Sequence, residues 1–345
     1  MSDARHTQMM EFLNANLATG FLVESLPGDA SFRRYHRIYL PMSGEAGSRE
    51  MTYLLMDAPP DKESIQEFIH VADIMSETVN VPDIVARDEA MGFLLLQDFG
   101  VVEFAHAIAK DADKKDDYYT KALQTLAQLQ TIEGADLPKY NDEKLAQEMD
   151  LFSEWFLPYL GVELTYEGAQ KWQHLKQTLI TQISKQPKVI VHRDYHSRNL
   201  MMDKGSDHLG VIDFQDAVIG AYTYDLVSLV RDAYIDYDET WVEKRIHEFY
   251  QMIKPSVDLG TFITQTNIMG VQRHLKVLGI FIRLSERDGK HRYLDNIPKV
   301  MRDLLSELSW LSERGNESIY GEFMAWLKVN VLPSYRAKFG HSEGL

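Results

Sequence analysis

Val191-His192-Arg193-Asp194-Tyr195-His196-Ser197-Arg198-Asn199-Leu200 follows a short apolar segment beginning at Val189. Asp213 comes fourteen residues after Asn199, inside Val211-Ile212-Asp213-Phe214-Gln215-Asp216. Asp194, Asn199 and Asp213 thus lie at the ends of two predicted strands, each with an oxygen-bearing side chain. Phosphoryl transfer from a nucleotide needs such a set: a carboxylate that orients and deprotonates the acceptor hydroxyl, and an amide and a second carboxylate that hold Mg²⁺. Asp194 reads as the base, Asn199 and Asp213 as the metal ligands. A plain polar loop would use Asp and Asn for turns and caps, but would not need this spacing followed by Ile-Asp-Phe. His192 reads as a buried hydrogen-bonding strut. Asp225, in Thr223-Tyr224-Asp225-Leu226, reads as a helix cap or a brace for the loop.

Outward from this stretch the chain changes character. Before Leu96, segments 22–26, 37–40, 52–56, 84–87 and 92–96 read as strands. Pro27-Gly28-Asp29 and Pro41-Met42-Ser43-Gly44 punctuate them. Between them, residues 61–78 carry Ile65, Phe68, Ile69, Ala72 and Met75 at helical spacing. After Gly100 helical stripes dominate: Tyr119/Leu123/Leu126/Leu129, then Leu145/Met149/Phe152/Phe156/Tyr159, then Val271/Leu275/Leu278/Ile282. Short strands at 189–191 and 209–212 interrupt them. The expectation is an α+β fold of two lobes, a small antiparallel-sheet lobe at 1–98 and a larger, mainly helical lobe at 99–345.

The small lobe is expected to hold the nucleotide. Gly28-Asp29-Ala30-Ser31-Phe32-Arg33-Arg34-Tyr35 lies between two strands. Gly28 and Ser31 would let backbone amides approach phosphate, and Arg33 or Arg34 would pair with its oxygens. An ordinary hairpin turn with exposed arginines is the alternative. Glu67, on the next helix, would face that arginine or solvent.

Composition narrows the chemistry. The chain has 345 residues, no cysteine, 36 basic and 52 acidic side chains, and a net charge of −16. Thiolate nucleophiles, disulfides and Cys-based metal sites are excluded. So much negative charge argues against general nucleic-acid or anionic-membrane binding. The N-terminus lacks the pattern of a signal peptide. Apolar runs such as 277–282 fall far short of a bilayer span. A cytoplasmic protein is expected, and its oligomeric state is left open.

With His192-Arg193-Asp194, Asn199 and Ile212-Asp213-Phe214 in hand, the chain resembles the aminoglycoside phosphotransferase and choline kinase-like superfamily. The resemblance implies a protein-kinase-like fold and ATP-dependent transfer to a small-molecule hydroxyl. Gln215 stands where protein kinases carry the Gly of D-F-G, and no G-x-G-x-x-G, V-A-I-K or A-P-E is found. The third strand, Tyr53-Leu54-Leu55-Met56-Asp57, also lacks the customary Lys, which points to Arg33 or Arg34 as its substitute. Longer stretches, among them Met56-Asp57-Ala58-Pro59-Pro60 and residues 272–281, resemble bacterial kinases of the amino-sugar anomeric hydroxyl. That branch implies ATP and Mg²⁺, and N-acetylmuramate or N-acetylglucosamine as acceptor, with the sugar α-1-phosphate used in peptidoglycan recycling. Gln97, at the lobe boundary, joins the expected nucleotide contacts. Expected sugar contacts are His196, Arg198, Asp216, Glu154, Arg231 and His274. The basic stretch Arg273, Lys276, Arg283, Arg287, Lys290 and Arg292 reads as a solvated helix face, or else as a receptor for a lactyl carboxylate. The alternatives are a kinase of choline, homoserine, thiamine or an aminoglycoside, or a non-catalytic nucleotide-binding protein.

Overall fold

The structure, a computed structural model, describes residues 3–27, 32–41 and 51–340. In chain order it contains α1 (Asp3–Asn16), β1 (Leu22–Ser25), β2 (Arg34–Tyr39), β3 (Thr52–Asp57), α2 (Gln66–Met75), β4 (Ile84–Asp88) and β5 (Phe93–Gln97). Helices α3 (Phe104–Lys110), α4 (Lys115–Leu129) and α5 (Asp142–Leu151) follow. A π-helical turn at Phe152–Phe156 then leads into α6 (Leu157–Tyr159) and α7 (Tyr166–Ser184). Next come β6 (Lys188–Val191), β7 (Leu200–Met202), β8 (Leu209–Val211) and β9 (Val218–Ala221). The chain ends with α8 (Tyr224–Val230), α9 (Glu239–Ile253), α10 (Leu259–Asp288), α11 (Ile297–Arg314), α12 (Ile319–Trp326) and α13 (Leu332–Phe339). Two compact units result, Met1–Lys121 with Arg198–Asp216, and Ala122–Ser197 with Ala217–Leu345.

The first unit is built on a five-stranded antiparallel sheet of order β1-β2-β3-β5-β4. Alternation sets its faces. Ile38, Leu55, Phe93 and Leu95 pack with Met9, Phe12 and Leu13 of α1 in one cluster. Arg5 of α1 reaches through to Asp57 on β3, with Nε 2.8 Å from Oδ1, and lies 3.9 Å over the Phe93 ring. Helix α2 is shorter than the periodicity predicts. Its expected first turn is instead a turn closed by the Lys62 and Glu63 amides on the Pro59 carbonyl, and its buried face is Phe68, Ile69, Val71, Ala72 and Met75. The segment 198–216 adds the hairpin β7–β8, with Leu200 opposite Val211.

The second unit is helical around a single large apolar cluster fed by α5, α7, α10, α11 and α12. Asn141, Thr165, Asp238 and Asp258 cap α5, α7, α9 and α10, each accepting a hydrogen bond from a backbone N–H of the first turn. Helix α10, of 30 residues, is buried along most of its length. Gly279 lets it approach the end of α5, because a Cβ there would lie 2.3 Å from the Leu151 carbonyl. Strands β6 and β9 pair antiparallel and deliver the chain to His192. Among the described residues no helix is long and apolar enough to cross a membrane.

Candidate active site

The loop after β6 is pinned by carboxylates. The His192 and Arg193 amides donate to the two oxygens of Asp225, at 2.6 and 3.0 Å. The Ser197 amide donates to Asp232 at 2.9 Å, and Asp232 also accepts from the Tyr234 amide at 2.8 Å. Tyr195 is buried and donates its hydroxyl to the Ala122 carbonyl at 2.8 Å. His192 is fully buried, its ring edge-on to Tyr195, and its Nδ1 accepts from the Asp194 amide at 3.3 Å. Arg193 adopts a φ of 75°, a left-handed conformation costly for a residue that carries a Cβ. Burial lifts Asp225 to about 6, against the pull of His192 and of the two loop amides.

Asp194 emerges from this frame half-buried. Burial alone would raise its pKa, but Lys276, His196, Arg273 and His192 outweigh it, and the carboxyl is lowered. It is therefore ionised at neutral pH. Lys276 is in turn held by Glu148 of α5, at 2.9 Å, and by the Tyr224 hydroxyl, at 3.0 Å. Glu148 also accepts from Arg193 at 2.7 Å and from the Tyr140 hydroxyl. Burial would raise Glu148, yet Lys276 and Arg193 hold it low. Sequence reasoning missed Glu148 and the burial of Lys276. The available signal was a carboxylate three residues after Leu145 on an otherwise apolar helix face. The expectation of a solvated face at Arg273 and Lys276 is corrected: both are 6% exposed. Arg287 and Arg292, farther along, are exposed.

In the first unit the β7–β8 hairpin brings Asn199 and Asp213 together. The Ile212 amide donates to the Asn199 carbonyl at 3.1 Å. The Asn199 side-chain amide lies 3.3 Å from Asp213 Oδ2, and Gln215 donates to Oδ1 at 2.8 Å. Asp213 has a φ of 64°. Its neighbour Phe214 is fully buried and packs tilted against Phe68 of α2, ring centroids 4.7 Å apart, anchoring the strained residue. Arg33 pairs with Glu63, Nε to Oε1 2.8 Å, in the turn before α2, while Glu67, read either as its partner or as a solvated position, is exposed on the helix. Burial lifts the Tyr35 hydroxyl to about 12, lowered in part by Arg33 and raised further by Asp213 and Glu63, so these four groups share one neighbourhood. Arg34 is exposed on β2. Gln97 lies on β5, its side-chain oxygen accepting from the Asp83 amide at 3.3 Å. Gly28 and Ser31 lie outside the described residues.

The expected sugar contacts fall in several places. His196 packs edge-on to Tyr234 at 5.3 Å. Glu154 is exposed on the π-helical turn, and Arg198 and Asp216 are exposed in the first unit. Arg231 and His274 are buried together over α11. Arg231 Nε lies 3.2 Å from Glu307, and His274 Nδ1 lies 2.7 Å from the same carboxylate. Gly270 makes this possible, since a Cβ there would clash with Glu307 Oε1.

One unit holds a loop aspartate, Asp194, framed by backbone amides clamped on Asp225 and Asp232; the other holds a hairpin that joins the Asn199 amide to the Asp213 carboxylate, and the Arg33–Glu63 pair. Residues 23–254 match the phosphotransferase enzyme family APH, and the chain belongs to that family. Its relatives narrow the class. The chain is 41% identical over 282 residues to an N-acetylmuramate/N-acetylglucosamine kinase of Pseudomonas putida, a match covering 79% of each chain. It is 36% identical over 323 residues to the kinase of that name from Pseudomonas aeruginosa, covering 88% of this chain and 91% of the relative. The ADP-bound crystal structure of aminoglycoside phosphotransferase APH(2'')-Ib shares the fold, with a TM-score of 0.58 and 12% identity over 88% of this chain and 98% of that one. The α+β, kinase-like fold and the assignment as an ATP-dependent kinase follow.

Proposed function

We propose that this kinase transfers the γ-phosphoryl group of ATP to the anomeric hydroxyl of N-acetylmuramate or N-acetylglucosamine. The product is the sugar α-1-phosphate, a step that serves peptidoglycan recycling in the cytoplasm. The observation that carries the reading is the 41% and 36% identity to kinases of that name over most of the chain.

The residue roles follow from chemistry. Asp194, ionised by the cations around it, accepts the C1–OH proton as the sugar oxygen bonds to the γ-phosphorus and the bond to the β-phosphate oxygen breaks, releasing ADP. A hemiacetal hydroxyl is more acidic than an ordinary alcohol, so orientation does most of the work. Asn199 and Asp213 offer an amide and a carboxylate 3.3 Å apart. A hard carboxylate oxygen and an amide oxygen are donors of the kind Mg²⁺ takes, so Asn199 and Asp213 would hold it. Held by Asn199 and Asp213, the ion would supply positive charge against the phosphates. Arg33, fixed by Glu63, takes the phosphate-pairing role that the third-strand Lys fills elsewhere. Glu148 and Asp232 position the loop and its cations.

Phosphorus NMR of the products from ATP, Mg²⁺ and either sugar tests the reading. An anomeric phosphate resonance is the expected result. ADP release only with choline, homoserine, thiamine or an aminoglycoside would overturn it.

A further inference from the structure

Arg273 stands apart from every other buried cation of the second unit. Lys276 is committed to Glu148 and Tyr224, Arg231 to Glu239 and Glu307, and Arg245 to Glu248. Arg273 is as buried as Lys276, at 6% exposure, yet makes no hydrogen bond or ion pair among the described residues. Its one close partner is the Tyr224 ring, 5.6 Å from Cζ. A guanidinium carries five donors in a rigid fork. Burying it without a carboxylate is costly unless an anion completes it. It lies within electrostatic reach of Asp194, Asp232 and Asp225, so it belongs to the neighbourhood of the acceptor-activating carboxylate. Burial would weaken its charge, but Tyr224, Asp194, Asp232 and Asp225 outweigh that and keep it ionised.

We infer that the Arg273 fork receives the lactyl carboxylate of N-acetylmuramate and so determines how well the anionic sugar is used relative to the neutral one. The two acceptors differ at C3, where one carries a hydroxyl and the other a lactyl ether ending in a carboxylate. The neutral sugar can approach Asp194 without compensation. The anionic sugar brings a second negative charge to a place already holding Asp194, Asp225 and Asp232, and it needs a cation not already spent. Arg273 is that cation, and its planar fork matches a carboxylate through two parallel hydrogen bonds. The phosphates have their own candidate partners, Arg33 and the Asn199–Asp213 pair, in the other unit.

The inference rests on the amino-sugar reading above, and its test separates the two. Wild type is assayed on N-acetylmuramate, its primary amide and N-acetylglucosamine, and Arg273→Gln and Arg273→Lys on the same three. In wild type the amide, which keeps the shape and loses the charge, is expected to have a kcat/KM about tenfold or more below that of the acid, the range for a hydrogen bond to a charged group. In Arg273→Gln that preference disappears, and the N-acetylmuramate to N-acetylglucosamine ratio falls by a similar factor, mostly through KM. Arg273→Lys restores part of it. Equal losses on both sugars would mark a residue serving the phosphoryl group or the fold, and would overturn the inference. So would a wild type indifferent to acid and amide, a result that needs no variant to fold. Turnover of neither sugar by wild type would instead overturn the functional reading itself.

Discussion

Asp194 and Glu148 show how two carboxylates in one unit divide the labour. Asp194→Asn keeps the shape and removes the proposed base, so kcat is expected to fall about 10²–10⁴-fold with KM for the sugar nearly unchanged. Near-normal turnover in an ADP-release assay would remove Asp194 from the base role. Glu148 holds Lys276 and Arg193 in place through two ion pairs. Glu148→Gln leaves both cations uncompensated and is expected to cost about 3–5 kcal/mol at pH 7 by chemical denaturation. Its pKa is depressed in the folded protein, so its contribution is fully present above the unfolded value of about 4.3 and is lost as pH falls through the folded one. The difference between wild type and variant should therefore narrow below pH 4. These residues were unequally legible. Asp194, Asn199 and Asp213 lie within twenty residues of one another, and local spacing carries their meaning. Glu148, Lys276 and Asp232 work through partners up to 128 residues away, Glu148 to Lys276 being the longest, and only tertiary contact reveals them.

At the scale of elements, the close approach of α10 to α5 is set by one missing methyl. Gly279→Ala would drive Cβ to 2.3 Å from the Leu151 backbone, which has no side-chain freedom to yield. Overpacking of this kind typically costs about 1–3 kcal/mol. A matching drop in unfolding free energy is expected, and an unchanged denaturation midpoint would show that the π-helical turn after Leu151 absorbs the methyl. The same turn explains a partial success of periodicity. Leu145, Met149, Phe152 and Phe156 do form one buried stripe, but the helix carrying them widens at Phe152–Phe156. Alternation located the five strands of the sheet. Strands β7 and β9, of three and four residues, are too short for any period to show, yet β7 is what brings Asn199 to Asp213.

For the molecule as a whole, a charge of −16 sets a repulsive field for an anionic acceptor. At saturating ATP, kcat/KM for N-acetylmuramate should rise between about 0.01 and 0.15 M salt as the Debye length shrinks from roughly 30 to 8 Å. The value for N-acetylglucosamine should stay flat. Equal salt responses in a stopped-flow or initial-rate series would show that the net field does not act on the acceptor. Helix α1 raises a separate matter of architecture. It covers one face of the five-stranded sheet with Met9, Phe12 and Leu13, and its Arg5 neutralises the buried Asp57. It is a structural layer of the first unit. A shortened version of the protein beginning at β1 would present Leu55, Phe93 and Leu95 to water beside an orphaned carboxylate, and such a surface invites self-association. Any tag or fusion must therefore be joined ahead of this helix and leave it whole.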